Sequence, residues 1–340
     1  ELTITRGTEP GCVSPVFRGR LIAASRTPGR RDSLTARPDY TPAVKSLVFH
    51  QAALGDWVLT FPLLRALNAA GHDVIAVTPA DKGRLAASVL PNVTPIDIEQ
   101  HDFTRLHSPD GHRETSDRIR QHLHDATHIV SFVSDGRDAW AQNVRTLVQG
   151  TSHCFVQPRP PDTWSQHVTD WHRRQLSDQG IALPIVDAPA SPPGNECVLI
   201  HPGSGGAHKC WPDEKWEHLL SQLEADRIAT RIVLGEVEIE RWSADRLARW
   251  RDRYEIVTCD DLEQLRREVA DGACFVGNDA GPTHLAAQMG RATVAIFNPT
   301  DPRIWRPIGP DVNVIAPSQP GAGWPRVQTV LFAIRMALRR

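Results

Sequence analysis

Residues 276–302, VGNDAGPTHLAAQMGRATVAIFNPTDP, decide the fold class of this 340-residue chain. An apolar run at 273–276 leads into the polar turn Gly277-Asn278-Asp279-Ala280-Gly281-Pro282. A helix is predicted to open at Pro282-Thr283-His284, because proline loses no hydrogen bond in a first helical turn. The unpaired N–H groups of that turn and the positive end of the helix dipole together suit a phosphate or another anion. Thr283 adds a hydroxyl donor and His284 a ring N–H. A second apolar strand at 293–297 ends in Asn298-Pro299-Thr300-Asp301-Pro302. Strand, anion-binding turn, helix and strand make half of a nucleotide-binding α/β unit. An ordinary βαβ unit with a capped helix has the same local pattern, so the rest of the chain bears on what the turn does.

Working outward, the length suggests two domains. The 40% hydrophobic and 23% charged content is that of a soluble globular protein. A net charge of −2 argues against a general nucleic-acid binder. No apolar run approaches the ~20 residues that span a bilayer. The six cysteines, Cys12, Cys154, Cys197, Cys210, Cys259 and Cys274, form no CxxC pair. Cys197 and Cys274 fall in or beside predicted buried strands, so a reducing, cytoplasmic setting without disulfides is expected. His101, His107, His112, His122, His124 and His128 crowd one region but lack a ligand spacing such as HExxH, and no metal site is expected. Residues 1–44 carry seven arginines among many Ser, Thr, Gly and Pro, without hydrophobic periodicity. A basic, disordered tail is expected there, and the composition is also that of a transit peptide.

From residue 46 onward, strands alternate with helices. Strands are predicted at 46–50, 73–77, 93–98 and 128–133, and helices at 56–70, 82–90, 115–125 and 138–148. Pro62 should kink the first helix and Gly71 should end it. Residues 158–194 are proline-rich and less regular. A second series has strands at 197–201, 231–234 and 255–257 and helices at 213–225, 238–250 and 262–270. It closes with the opening stretch and a last, basic-sided helix near 328–340. The alternation implies parallel, doubly wound sheets. The expected domains are a first Rossmann-like domain at 45–186, a linker at 187–195 and a second Rossmann-like domain at 196–324. The helix at 325–340 is expected to pack back on the first domain. Ligands of such sheets bind beyond the carboxyl ends of strands, so the turns there carry the chemistry.

Three turns stand out. In HQAALGDWVLTFPLLRAL, His50 to Leu67, Gly55 permits close backbone approach and Asp56 sits at the helix start. Asp56 is either an N-cap or a general base that takes a proton from a substrate hydroxyl. In VLIHPGSGGAHKCWPDEKW, Val198 to Trp216, a buried strand runs into Gly203-Ser204-Gly205-Gly206, whose backbone can cradle an anion beside the charge of Lys209. This is not the GxxxxGK[ST] pattern, so ATP hydrolysis is not implied. In LGEVEIER, Leu234 to Arg241, Glu236 or Glu238 could accept hydrogen bonds from a ribose diol, or simply favour a helix start.

Together these segments resemble glycosyltransferase family nine, the heptosyltransferases of the lipopolysaccharide inner core. The resemblance rests on Leu54-Gly55-Asp56 with Thr60 and Pro62, and on His201-Pro202-Gly203 with Lys209-Cys210-Trp211-Pro212 and Trp216. It also rests on Asn278-Asp279-Ala280-Gly281-Pro282-Thr283-His284-Leu285-Ala286 and on Pro299-Thr300-Asp301-Pro302. It implies a GT-B architecture: two Rossmann-like domains facing across a cleft, acceptor on the first and nucleotide-sugar on the second. It implies an inverting, metal-independent enzyme with no cofactor beyond its donor, an ADP-linked sugar such as heptose. The acceptor would be a glycan or glycolipid hydroxyl. The family's base matches Asp56 and its diphosphate lysine matches Lys209. Its phosphate-binding turn matches Gly281 to His284, with Ser204, Gly205, Glu238 and Asp279 also on the donor side. His50 and Gly55 fall on the acceptor side. The chain departs from the pattern at His50, commonly Arg or Lys, and at Ala280, commonly a hydroxyl residue. A nucleotide-sugar binding protein or epimerase on the same scaffold is the alternative. Basic residues of the tail and last helix could meet an anionic membrane surface, although exposed arginines are usually solvated.

Overall fold

The apolar runs read from the sequence become parallel strands buried on both faces. In the computed structural model, residues 44–339 are described, apart from 100, 101, 149, 193, 320 and 321. The basic tail expected over 1–44 therefore lies outside the described residues, except for Val44. The first half holds β1 (Val44–Phe49), α1 (Leu54–Val58), α2 (Phe61–Ala69), β2 (His72–Thr78), α3 (Ala80–Val89) and β3 (Val93–Asp97). It continues with α4 (Gly111–Glu114), α5 (Asp117–His124), β4 (His128–Ser131), α6 (Ala139–Leu147), β5 (Ser152–Phe155) and α7 (Val168–Asp178). Its sheet has the order β3-β2-β1-β4-β5, and every pairing is parallel.

The second half holds β6 (Asn195–His201), α8 (Asp213–Ala225), β7 (Thr230–Leu234), α9 (Glu236–Arg241), α10 (Ala244–Arg253), β8 (Ile256–Thr258) and α11 (Leu262–Asp271). It closes with β9 (Gly272–Asn278), α12 (Gly281–Gln288), β10 (Ala292–Ile296), α13 (Pro302–Trp305), β11 (Val312–Ile315) and α14 (Val327–Ala337). The order is β11-β10-β9-β6-β7-β8, again all parallel. This is the doubly wound α/β architecture expected.

Several elements differ from expectation for local reasons. The helix predicted over 56–70 begins at Leu54 and breaks in two. Pro62 has no N–H to donate backward, so it stands in the first turn of a new helix, with Thr60 at the N-cap position. The helix predicted over 238–250 also divides, because the Ser243 hydroxyl accepts from the Arg246 N–H and starts α10 afresh. Within the proline-rich stretch lies α7, whose buried stripe is only Val168, His172 and Leu176 among polar residues, too sparse to announce itself. β5, α13 and β11 were likewise not expected, being only four residues each.

The last helix corrects a domain expectation. It does not return to the first half. Val327, Val330, Leu331 and Ile334 of α14 join one cluster with Ile200, Trp216 and Ile296, covering the second sheet beside α8. Its buried positions recur at helical spacing, so a single stripe faces that sheet. The two halves are nonetheless bound together. Trp57, Leu64 and Val130 share a buried cluster with Leu199, Phe275 and Leu285. Arg65 of α2 reaches across to α12, donating to the Gln288 side chain and, at 2.8 Å, to its backbone oxygen.

Candidate functional site

Connection order reverses beside β1 in the first sheet and beside β6 in the second. Loops diverge at such points and leave a crevice at the strands' carboxyl ends. The two crevices meet. α1, leaving β1, abuts α12, leaving β9: a Cβ at Gly55 would lie 3.6 Å from the Gly281 Cα, and one at Gly281 would lie 2.8 Å from Leu54 Cγ. Glycine at 281 is what lets the helix starts touch, whereas a Cβ at 55 would make ordinary contact. Beside this contact opens a cavity of about 460 Å³, within the size range of small-molecule sites. Residues 53–55, Asp81 and Lys82 border it from the first half. The glycine loop after β6 and the ends of β7, β8 and β9 border it from the second.

The second-half loops are stitched together by Asn278, which is fully buried. Its Oδ1 accepts from the Trp211 N–H at 3.0 Å, and its Nδ2 donates to the carbonyls of Pro202 (2.9 Å) and Gly203 (3.1 Å). Ser204 Oγ donates to the Asp279 carbonyl at 2.8 Å. Lys209 Nζ meets Asp279 Oδ2 at 2.7 Å, and His284 Nε2 lies 3.4 Å from Oδ1. Burial pushes the Asp279 carboxyl up. The hydrogen bond and charge of His284, then those of Lys209, outweigh burial and hold it at about 2. Arg241 donates to the Gly205 carbonyl at 2.7 Å and so holds the glycine loop from α9.

Of the residues expected at the site, Gly55, Ser204, Gly205, Glu238, Gly281 and Pro282 border the cavity. The others stand elsewhere, and four change their reading. Thr283 is fully buried and its hydroxyl donates to the Asn278 carbonyl at 2.7 Å, so it serves the turn and not a ligand. The N–H groups of Thr283 and His284 both point to the Ala280 carbonyl, and Pro282 has none, so within 281–284 the Gly281 N–H is the one without a partner among the described residues. Asp279, ionised and acidic, would repel a phosphate directly; its role is to hold Lys209 and His284. His50 is 1% exposed, packed by the rings of Trp57 and Phe132. Burial, then the neighbouring charges of His172 and Lys82, push it down to about 3, so it offers no charge to an acceptor.

Glu238 Oε2 accepts from the N–H of the N-cap Gly235 at 3.0 Å, the one half of a capping box that a glycine allows, while Oε1 sits 3.8 Å from His201 Nε2. It caps and borders the cavity together. His201 also borders it, turned by a 3.0 Å bond between Nδ1 and the Val233 carbonyl. Asp56 is not an N-cap: Ala53 holds that position, and the half-buried Asp56 carboxylate has no hydrogen bond or ion pair among the described residues. It follows Gly55 at the edge of the cavity without lining it. Sequence reading gave no site role to Lys82, Asn278 or His201. Lys82 carries one local signal, a cation in the first turn of a helix, where the dipole disfavours it. Among the described residues, no group of three or more His, Cys, Asp or Glu is arranged to hold a metal ion. No described helix is long and apolar enough to cross a membrane.

Comparison with known proteins agrees with this geometry. The chain is 27% identical over 160 residues to lipopolysaccharide heptosyltransferase 1 of Pseudomonas aeruginosa, a match covering 44% of each chain. It thus matches less than half the length of that relative. Among solved structures it is similar to E. coli heptosyltransferase WaaC with ADP, at TM-score 0.64 and 20% identity over 86% of this chain and 100% of the other. It is also similar to the same enzyme with ADP-2-deoxy-2-fluoro heptose, at TM-score 0.61 and 20% identity over 86% and 99%. These likenesses identify the fold as GT-B. Residues 136–323, more than half of the chain, match the family described as Glycosyltransferase family 9 (heptosyltransferase), and the chain belongs to that family.

Proposed function

We propose that this protein is an inverting glycosyltransferase that moves a sugar, heptose from an ADP-linked donor, to a hydroxyl of a glycan or glycolipid such as lipopolysaccharide core. The observation that carries the reading is the unpartnered Asp56 carboxylate beside a nucleotide-sized cavity at two facing switch points. The solved neighbours hold ADP and an ADP-heptose analogue, which supports the choice of donor. In the proposed reaction Asp56 takes the acceptor hydroxyl proton as that oxygen bonds to the anomeric carbon. The bond from that carbon to the diphosphate breaks, and its electron pair leaves with the diphosphate. Attack opposite the leaving group inverts the centre. Negative charge grows on the diphosphate, so donors aimed at it, the Gly281 N–H among them, would lower the barrier more than they tighten ground-state binding.

Transfer should proceed unchanged in EDTA. Asp56→Asn should cost about 10²–10⁴-fold in transfer, the range of general-base catalysis, while ADP affinity by calorimetry stays within twofold. An Asp56→Asn protein retaining most of its turnover would remove the base assignment. A nucleotide-sugar binding protein on this scaffold would bind ADP without any transfer. An epimerase would convert the donor with no acceptor present.

A further inference from the structure

We infer that Lys82, from the first half, binds the donor's diphosphate; the inference rests on the nucleotide-sugar reading above. The cation expected at this site was Lys209, but its ammonium is matched by the Asp279 carboxylate at 2.7 Å. Among the described residues bordering the cavity, Lys82 is the one lysine or arginine. Its Nζ donates to the Ala52 carbonyl at 2.8 Å and forms no ion pair with any described residue. One of three ammonium donors is thus occupied, and the adjacent Asp81 carboxylate accepts from the Lys82 backbone N–H at 2.7 Å and forms no ion pair with its ammonium. Helix capping does not account for it, because a cation in the first turn of α3 opposes the dipole.

The position fits a phosphate. The bond to Ala52 seats the ammonium against the 52–55 turn. Gly55 of the same turn meets Gly281, whose backbone nitrogen would be 3.7 Å from a Cβ on Gly55 and whose N–H has no hydrogen-bond partner among the described residues. One donor therefore comes from each half of the molecule, around the same turn. The second half lines the cavity with Glu236, Glu238, Asp260 and Asp261, and the first half adds Asp81 beside Lys82. Carboxylates repel phosphate but suit the hydroxyls of a ribose. The Lys82 ammonium and the Gly281 N–H would therefore take the phosphates of a nucleoside diphosphate, and the second-half carboxylates its ribose. A ligand bound this way ties the first half to the second.

The test is calorimetric titration of the full chain with ADP and AMP. Lys82→Gln keeps a donor for Ala52 without the charge, and Lys82→Arg keeps the charge. A lost charge-assisted contact should weaken ADP binding by about 10–100-fold in Lys82→Gln, leave AMP within threefold, and be largely restored in Lys82→Arg. Equal loss of ADP and AMP would mean that Lys82 only shapes the turn, and the inference fails. Unchanged ADP affinity together with a raised KM for a phosphorylated acceptor would move the charge to the acceptor, and the inference fails again. If the unaltered protein binds no nucleoside diphosphate, the nucleotide-sugar reading itself falls first.

Discussion

Asp279 and Thr283 stand three and seven residues beyond Val276, and both looked like ligand contacts. Each is spent inside the protein. Thr283 hands its hydroxyl to the Asn278 carbonyl, so Thr283→Val should lower stability by about 1 kcal/mol, the net worth of one hydrogen bond. ADP affinity should stay within twofold. A tenfold loss of ADP affinity at unchanged stability would return Thr283 to the phosphate site. Asn278 carries more. Asn278→Ala would leave the buried Trp211 N–H and two loop carbonyls without their partner. Unpaired buried groups cost about 1–3 kcal/mol each, so urea denaturation should show a loss of about 2–4 kcal/mol. A loss under about 1 kcal/mol would mean that water replaces the side chain.

Among the elements, the touching starts of α1 and α12 set the distance between the halves. Gly281→Ala would press on Leu54 at 2.8–2.9 Å, including its Cβ, which cannot swing away. Overpacking of this kind costs about 1–3 kcal/mol. It should cut transfer more than it cuts ADP binding, because it separates the Asp56 side from the donor side. The second change Leu54→Ala removes the obstructing Cγ and Cδ atoms and should recover part of the activity. No recovery in the double variant would place the damage within α12 alone. Element identity was largely readable: 213–225 was predicted to the residue, and Gly71, with φ +85°, ends α2 as its backbone freedom suggests. α7 was not readable, because its three buried positions lie among charged neighbours and its stability comes from packing on α2.

Across the described molecule, burial holds His50, His167 and His172 in neutral form. Burial first, then neighbouring charge, holds His50 at about 3 against an ordinary 6.5. Burial holds His167 and His172 at about 4, in each case against a backbone hydrogen bond that favours the charged form. Between these values and 6.5 the unfolded chain binds more protons than the folded one, so stability is full above about 6.5 and falls as the pH drops toward 4. Thermal melts from pH 8 to pH 4.5 should show this decline, and His172→Phe should flatten it. An identical slope in that variant would assign the acid sensitivity to other groups. His167 and His172 both border the smaller cavity beside α2, so loosening should begin there.

The sequence by itself determined the parallel α/β halves, the turns that matter and the family, because strand period, glycine turns and helix starts are set by residues within a few positions of one another. Only the tertiary structure decided which polar groups at those turns remain free. Lys209 and Asp279 lie 70 residues apart and neutralise each other. Lys82 and Gly281 come from opposite halves and border one cavity. α14 could have covered either sheet and covers the second. These outcomes depend on which desolvated groups find partners when distant segments close on one another, and no local pattern records that.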